Sequence, residues 1–218
     1  MSPRSIGLSD ALQSYIDAHS SPPDEVQRRL IADTEALGSA AGMQISPEQG
    51  TLLSMLVGIL RPAFAVEVGT FTGYSSLAIA RALPPGGRLL CCDVSEDWTA
   101  MARAAWAEAG VDDRIALKIA PAIDTLRALP ADTVVDFAFI DADKSGYTSY
   151  YEEILARLSP DGMIAVDNTL WSGAVIDDTD TSVDTVALRA FNAHVAADDR
   201  TVQVITPIGD GLTLIRRR

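Results

Sequence analysis

The sequence predicts an α/β fold: a doubly wound, mostly parallel sheet with a C-terminal antiparallel hairpin and an N-terminal helical cap. Three observations carry this expectation. Beyond residue 64, short apolar runs alternate with helix-compatible segments, an order that right-handed crossovers turn into a parallel sheet. The runs are rich in Val, Ile and Phe and almost unbroken by polar residues, as suits strands buried on both faces. Finally, two runs at 201–206 and 212–215 flank Pro-Ile-Gly-Asp-Gly, a hairpin signal.

Taken in order, the first ten residues, MSPRSIGLSD, lack the apolar stretch of a secretory leader, and no segment approaches the length of a membrane span. Segments 8–18 and 25–37 read as helices separated by Ser-Ser-Pro-Pro-Asp. Ser46-Pro47-Glu48-Gln49 is a helix start: Ser46 can cap, Pro47 suits the first turn, and Gln49 occupies the return position of a capping box. Leu52, Leu53, Leu56, Ile59 and Leu60 then mark one helical face. Strands follow at 64–68, 88–92, 134–140 and 163–166, with helices at 75–83, 95–109, 122–129 and 147–158 between them. No repeat or linker interrupts the chain, so one domain is expected over 1–218, with 1–45 as the cap and 46–218 as the core.

The 218 residues carry a formal net charge of −13, which counts against nucleic acid and anionic membrane as partners. Basic residues cluster only at Arg216, Arg217 and Arg218. The adjacent Cys91 and Cys92 would point to opposite faces of a strand, which disfavours a mutual disulfide and fits two small core residues. A cytoplasmic location is the expectation.

Each of the four parallel strands ends in or beside an acid: Glu67, Asp93, Asp141 and Asp167. Ligands of open α/β sheets bind beyond the carboxyl ends of the strands, so these acids would share one rim and repel unless something cationic or hydroxyl-rich lay between them. Singly, each could equally cap a helix or merely end a strand. The segment Glu67-Val68-Gly69-Thr70-Phe71-Thr72-Gly73-Tyr74-Ser75 runs from strand through a glycine-bearing turn into a helix, which lets backbone approach a nucleotide-like ligand. It is neither a Walker A loop nor GxGxxG. Asp93, ending the next strand, can accept hydrogen bonds from both hydroxyls of a ribose. Dinucleotides and S-adenosylmethionine both carry one, but Glu67 would repel a pyrophosphate and attract a sulfonium or ammonium, which favours the methyl donor.

A second group comprises Asp141-Ala142-Asp143-Lys144 and Asp167-Asn168. Asp167 and Asn168 can address one point only if the chain is leaving the strand there, which the following Thr169-Leu170-Trp171-Ser172-Gly173 supports. Asp141, Asp167 and the Asn168 amide oxygen then offer three hard ligands for Mg²⁺, Mn²⁺ or Ca²⁺. Two unrelated strand-end acids account for the same spacing. Lys144, three residues beyond Asp141, suits a general base beside a cation, or is a solvated lysine or a partner of Asp143. His19 and His194 fall in helical segments away from these motifs, and no Ser/His/Asp or Cys/His arrangement is evident.

Together, VEVGTFTGYSS, CDVSEDW, FAFIDADKSGY, YYEEIL, AVDNTLWSG, LRAFN and PIGDGLTL resemble the cation-dependent O-methyltransferases, the group of caffeoyl-CoA O-methyltransferases and relatives of catechol O-methyltransferase. The likeness runs from Ser46 to the C-terminus in unbroken order, with a weaker echo in SIGLSDALQSYI. It implies a class I S-adenosylmethionine-dependent methyltransferase fold, Rossmann-like. It further implies a donor site of Ile45, Glu67, Gly69, Thr70, Ser75, Asp93, Ala122 and Asp141, and one divalent cation, first of all Mg²⁺, on Asp141, Asp167 and Asn168. Lys144 aligns with the base proposed in catechol-type members, and a homodimer is the family expectation.

Two departures stand out. Ala120 replaces a glycine common before Pro-Ala in the adenine loop. Asp143 replaces the aromatic residue that precedes the lysine in catechol-type members, which sets this chain nearer the caffeoyl-CoA type and its bacterial relatives. The expected reaction is methyl transfer to one hydroxyl of a vicinal dihydroxy-aromatic compound. Scarcity of basic side chains favours a small free catechol over a CoA thioester, whose phosphates call for them. A nicotinamide oxidoreductase, a phosphoacceptor-like protein using Asp141 and Asp143, and a non-catalytic S-adenosylmethionine-binding protein are the alternatives.

Overall fold

The computed structural model describes residues 7–218. The leader reading and the start of the cap fall partly on residues 1–6, outside the described residues. Ahead of the sheet lie α1 (Asp10–His19), α2 (Glu25–Glu35), a 3-10 segment at Gly38–Met43 and α3 (Pro47–Leu60). A reciprocal capping box between Asp24 and Gln27 starts α2. At the head of α3, Ser46 Oγ accepts from the Gln49 N–H and Pro47 occupies the first turn.

The core then runs β1 (Phe64–Val68), α4 (Tyr74–Ala82), β2 (Arg88–Asp93), α5 (Glu96–Glu108), β3 (Ile115–Ile119), α6 (Ala122–Arg127), β4 (Val135–Ile140), α7 (Tyr147–Arg157), β5 (Leu158–Val166), α8 (Val183–Ala196), β6 (Thr201–Thr206) and β7 (Leu212–Arg217). The seven strands are ordered β3-β2-β1-β4-β5-β7-β6. β1 pairs in parallel with β2 and β4, and β4 with β5, whereas β7 is antiparallel to both β5 and β6. The doubly wound sheet and its C-terminal hairpin are therefore as the sequence predicts, and the strand order reverses between β1 and β4.

Alternation along the strands feeds two apolar layers. Val66, Val68, Leu90, Cys92, Ala138, Ile140, Ile164 and Val166 pack with α6, α7 and α8. Ala65, Leu89, Cys91, Phe137, Phe139 and Ala165 pack with α2 to α5. Cys91 and Cys92 thus belong to opposite layers, buried and unbonded, as strand geometry requires.

The sequence does not show β3, and it shows α8 only as a helical segment around His194. β3 is a five-residue edge strand carrying Lys118 and exposed on much of its length. α8 had no bounds because Val183 and Val186 face solvent, which blurs its periodicity.

Candidate active site

β1 delivers Glu67 to the α3–α4 side of the sheet, where it is 0% exposed and neither carboxylate oxygen has a hydrogen-bond partner. Burial raises its pKa to about 8, and the nearby Ser75, Cys91, Thr70 and Ser76, which make no hydrogen bond to it, only partly counter that. Thr70 Oγ1 is likewise buried and unpartnered. The turn beyond needs glycine twice. Gly69 has φ +87°, and a Cβ there would lie 1.8 Å from the Asp141 carbonyl oxygen. Gly73 has φ +90°, and a Cβ would lie 2.5 Å from that of Ala102. Ser75 follows in the first turn of α4, 7% exposed.

Asp93, at the end of β2, accepts from the backbone N–H groups of Thr70 at 2.9 Å, Phe71 at 2.8 Å and Ser95 at 2.8 Å. Part of its hydrogen-bonding capacity therefore clamps the turn. Phe71 and Trp98 meet edge to face beside it, centroids 5.2 Å apart. Ile45, just ahead of α3, is buried in the α2–α5 layer, and Ala122, opening α6, in the other.

Asp141 leaves β4 and Asp167 leaves β5, with Asn168 next at φ +57°. That left-handed residue turns the chain off the strand, as the sequence requires for Asp167 and Asn168 to act together. Lys144 ties the group: Nζ donates to Asp141 Oδ1 at 3.2 Å, Asn168 Oδ1 at 2.6 Å and Tyr147 OH at 2.7 Å. The lysine is buried beside the ring of Trp171, its Nζ 5.5 Å from the centroid. It is thus neither solvated nor bound to Asp143, which instead accepts from Tyr150 OH at 2.6 Å and from Ser145 Oγ. Burial raises the pKa of Asp141 against the pull of Lys144, and burial followed by Asp141 raises that of Asp167.

The loop after β5 is held by the hairpin. Thr169 N–H donates to Gly211 O and Leu170 N–H to Asp210 O, both at 2.9 Å, and Thr213 Oγ1 donates to Thr169 Oγ1 at 2.9 Å. Tyr147, Trp171 and Gln49 were missed as site residues. Tyr147 and Trp171 lie within FAFIDADKSGY and AVDNTLWSG, and Gln49 occupies a capping position, so none of the three stands out in the sequence. Both histidines lie elsewhere. His19 stacks on Tyr15, and His194 belongs to an acidic cluster with Glu152 and Asp198 that Arg200 already bridges.

A strand–turn–helix cradle beside an acid-rimmed switch point fits the class I methyltransferases, to which the solved neighbours belong. The O-methyltransferase family model matches residues 17–218, and the chain belongs to that family. It is 38% identical over 216 residues to a Dictyostelium discoideum protein named probable caffeoyl-CoA O-methyltransferase 1, covering 97% of this chain and 94% of that one. With caffeoyl-CoA O-methyltransferase of Populus kitakamiensis the identity is 35%, over 96% and 94% of the two chains. The O-methyltransferase from Bacillus cereus solved with S-adenosylhomocysteine superposes with a TM-score of 0.86 at 30% identity, over 95% and 97% of the chains. These similarities make the chain an S-adenosylmethionine-dependent O-methyltransferase of the caffeoyl-CoA type, which sets aside the oxidoreductase, phosphoacceptor and non-catalytic alternatives.

Proposed function

We propose that this enzyme methylates one hydroxyl of a small vicinal dihydroxy-aromatic acceptor, depends on a divalent cation, and works in the cytoplasm as a homodimer. The observation that carries the reading is the double placement of Asp141. Its backbone oxygen lies against Gly69 of the donor turn, while its carboxylate meets Lys144 beside Asn168. Donor and acceptor would therefore meet across one residue, and alignment of oxygen, methyl carbon and sulfur is the main demand of direct transfer.

Glu67 and Thr70, with unpartnered buried oxygens, suit the cationic methionine end of the donor. Gly69 and Ser75 bring the turn close, Asp93 takes the ribose, and Ile45 and Ala122 flank the rest. Asp141, Asp167 and Asn168 offer three hard oxygens, and the presence of the Lys144 ammonium between two of them supports their suitability for a cation. Mg²⁺ fits first, with Mn²⁺ or Ca²⁺ as substitutes, and when bound it would supply Lewis acidity to the acceptor's hydroxyls. In the transfer the S–CH₃ bond breaks as the O–CH₃ bond forms, and Lys144 Nζ, once its own proton has passed to solvent, takes the hydroxyl proton. The helices up to residue 45 cap the donor side: Thr34 of α2 donates to Thr72 of the turn at 2.9 Å.

A panel of catechols incubated with donor, with and without EDTA, and read by mass tests this. A gain of one methyl that EDTA abolishes is expected, and Asp141→Ala should lose that turnover while remaining folded. Full activity of the variant in EDTA would sink the cation assignment. The names of the relatives favour a second reading, a caffeoyl-CoA-type thioester acceptor. Better kinetics on caffeoyl-CoA than on caffeic acid would decide for it.

A further inference from the structure

Gln49 stands three residues beyond Ser46, where the sequence predicts a reciprocal capping box. Half of that box forms, the Gln49 N–H donating to Ser46 Oγ at 3.2 Å. The other half does not. In α2 the equivalent Gln27 does reach back, its Oε1 accepting from the Asp24 N–H at 3.0 Å. The Gln49 side chain turns inward instead, 1% exposed, and its Nε2 donates to Asp167 Oδ2 at 2.7 Å. Behind it lies the turn between β6 and β7, where a Cβ on Gly209 would come 2.4 Å from Gln49 Oε1. The other Asp167 oxygen accepts from the Asn168 N–H at 2.7 Å. One donor on each oxygen fixes the rotation of a carboxylate that two single bonds would otherwise leave free, and the side-chain donor comes from a helix at the opposite end of the sequence.

We propose that Gln49 is a positioning residue of the cation centre: it locks the Asp167 carboxylate in the orientation that binds the ion, with the Gly209 turn as its backstop. The inference rests on the reading of Asp141, Asp167 and Asn168 as cation ligands. Partners that orient a ligating group typically change metal affinity 10–100-fold when removed. The amide serves better than a methionine of similar length because a buried carboxylate oxygen without a donor is left unsatisfied.

The test titrates Mn²⁺ into the full-length protein by calorimetry, with S-adenosylhomocysteine titrated separately. In Gln49→Met the Mn²⁺ affinity should fall roughly 10–100-fold, with S-adenosylhomocysteine affinity within about twofold of the parent. A role confined to helix stability would lower the melting temperature and leave Mn²⁺ affinity intact, and that result overturns the proposal. Should Gln49→Met fail to fold, Gly209→Ala at the exposed turn presses on the same amide from behind and should weaken Mn²⁺ in the same sense; unchanged affinity there also overturns it. A parent protein that binds no Mn²⁺ overturns this proposal together with the cation reading, whereas a parent that binds and variants that bind equally overturn this proposal alone.

Discussion

Glu67 carries its carboxyl fully buried with both oxygens unpartnered, and burial raises its pKa to about 8. In the unfolded chain the same group titrates near 4.5. Below that value both states hold the proton and the titration contributes nothing to stability. Between about 4.5 and 8 the unfolded state ionises while the folded state does not, so stability falls as pH rises, levelling off above 8. The loss is on the order of a few kcal/mol. Glu67→Gln removes the titration, so donor-free protein should melt higher than the parent at pH 8 and converge with it near pH 5. Parallel melting curves across that range would refute this. The same variant should bind donor more weakly, because an amide cannot give up a proton to face the incoming sulfonium as the carboxyl can. Gly69 adds a steric reason for residue choice here: an alanine would drive its Cβ into the Asp141 carbonyl.

Among the elements, α8 has a task beyond covering the sheet. From it Arg189 donates from Nε to Val175 O at 3.1 Å, from Nη1 to Asp180 O at 2.8 Å, and from Nη2 to Ala174 O at 2.8 Å and to Asp177 O. One guanidinium thereby organises the loop that follows Trp171, where Trp171 and Ser172 hold left-handed backbone. Lysine lacks the fork to do the same. Arg189→Ala should cost about 1–3 kcal/mol and speed amide exchange across 174–180, with exchange in β1 and β2 unchanged. Uniform or absent acceleration would count against it. The sequence made most of the sheet legible because buried strands are written as apolar runs broken at most once, by Glu67 in Phe64–Val68 and by Asp136 in Val135–Ile140. The edge strand Ile115–Ile119 also carries one charged residue in five; it differs from β1 in being half-exposed, which the sequence pattern does not display. In the site, the four acids could be read from their positions at strand ends. Gln49 could not, because a glutamine behind a Ser-Pro helix start has an adequate local explanation. The turn at Asn168 could be read from the residues that follow it, but the capture of Lys144 by its amide oxygen could not, because a lysine three residues after an acid has several local partners.

On the scale of the whole molecule, the sheet is closed at one side by β6, whose Val202, Val204 and Ile205 are exposed. An edge strand with apolar side chains left in water supports the homodimer proposed above. Light scattering on the purified chain should give twice 23.2 kDa, and Val204→Lys should shift the mass toward the monomer. A monomeric parent at micromolar concentration would refute the dimer. The insertion of β7 between β5 and β6 has a further consequence, one of timing. Glu67, Gly69, Asp93 and Asp141 are all synthesised before β5, and their strands can pair as soon as β4 is available. The Thr169 and Leu170 N–H groups find their backbone acceptors in Gly211 and Asp210, made after every strand of the sheet but β7. A nascent chain paused before that hairpin therefore owns its donor turn but not a settled Asp167–Asn168 corner. Chemistry becomes available only once the ribosome has delivered the strand that slots in beside β5.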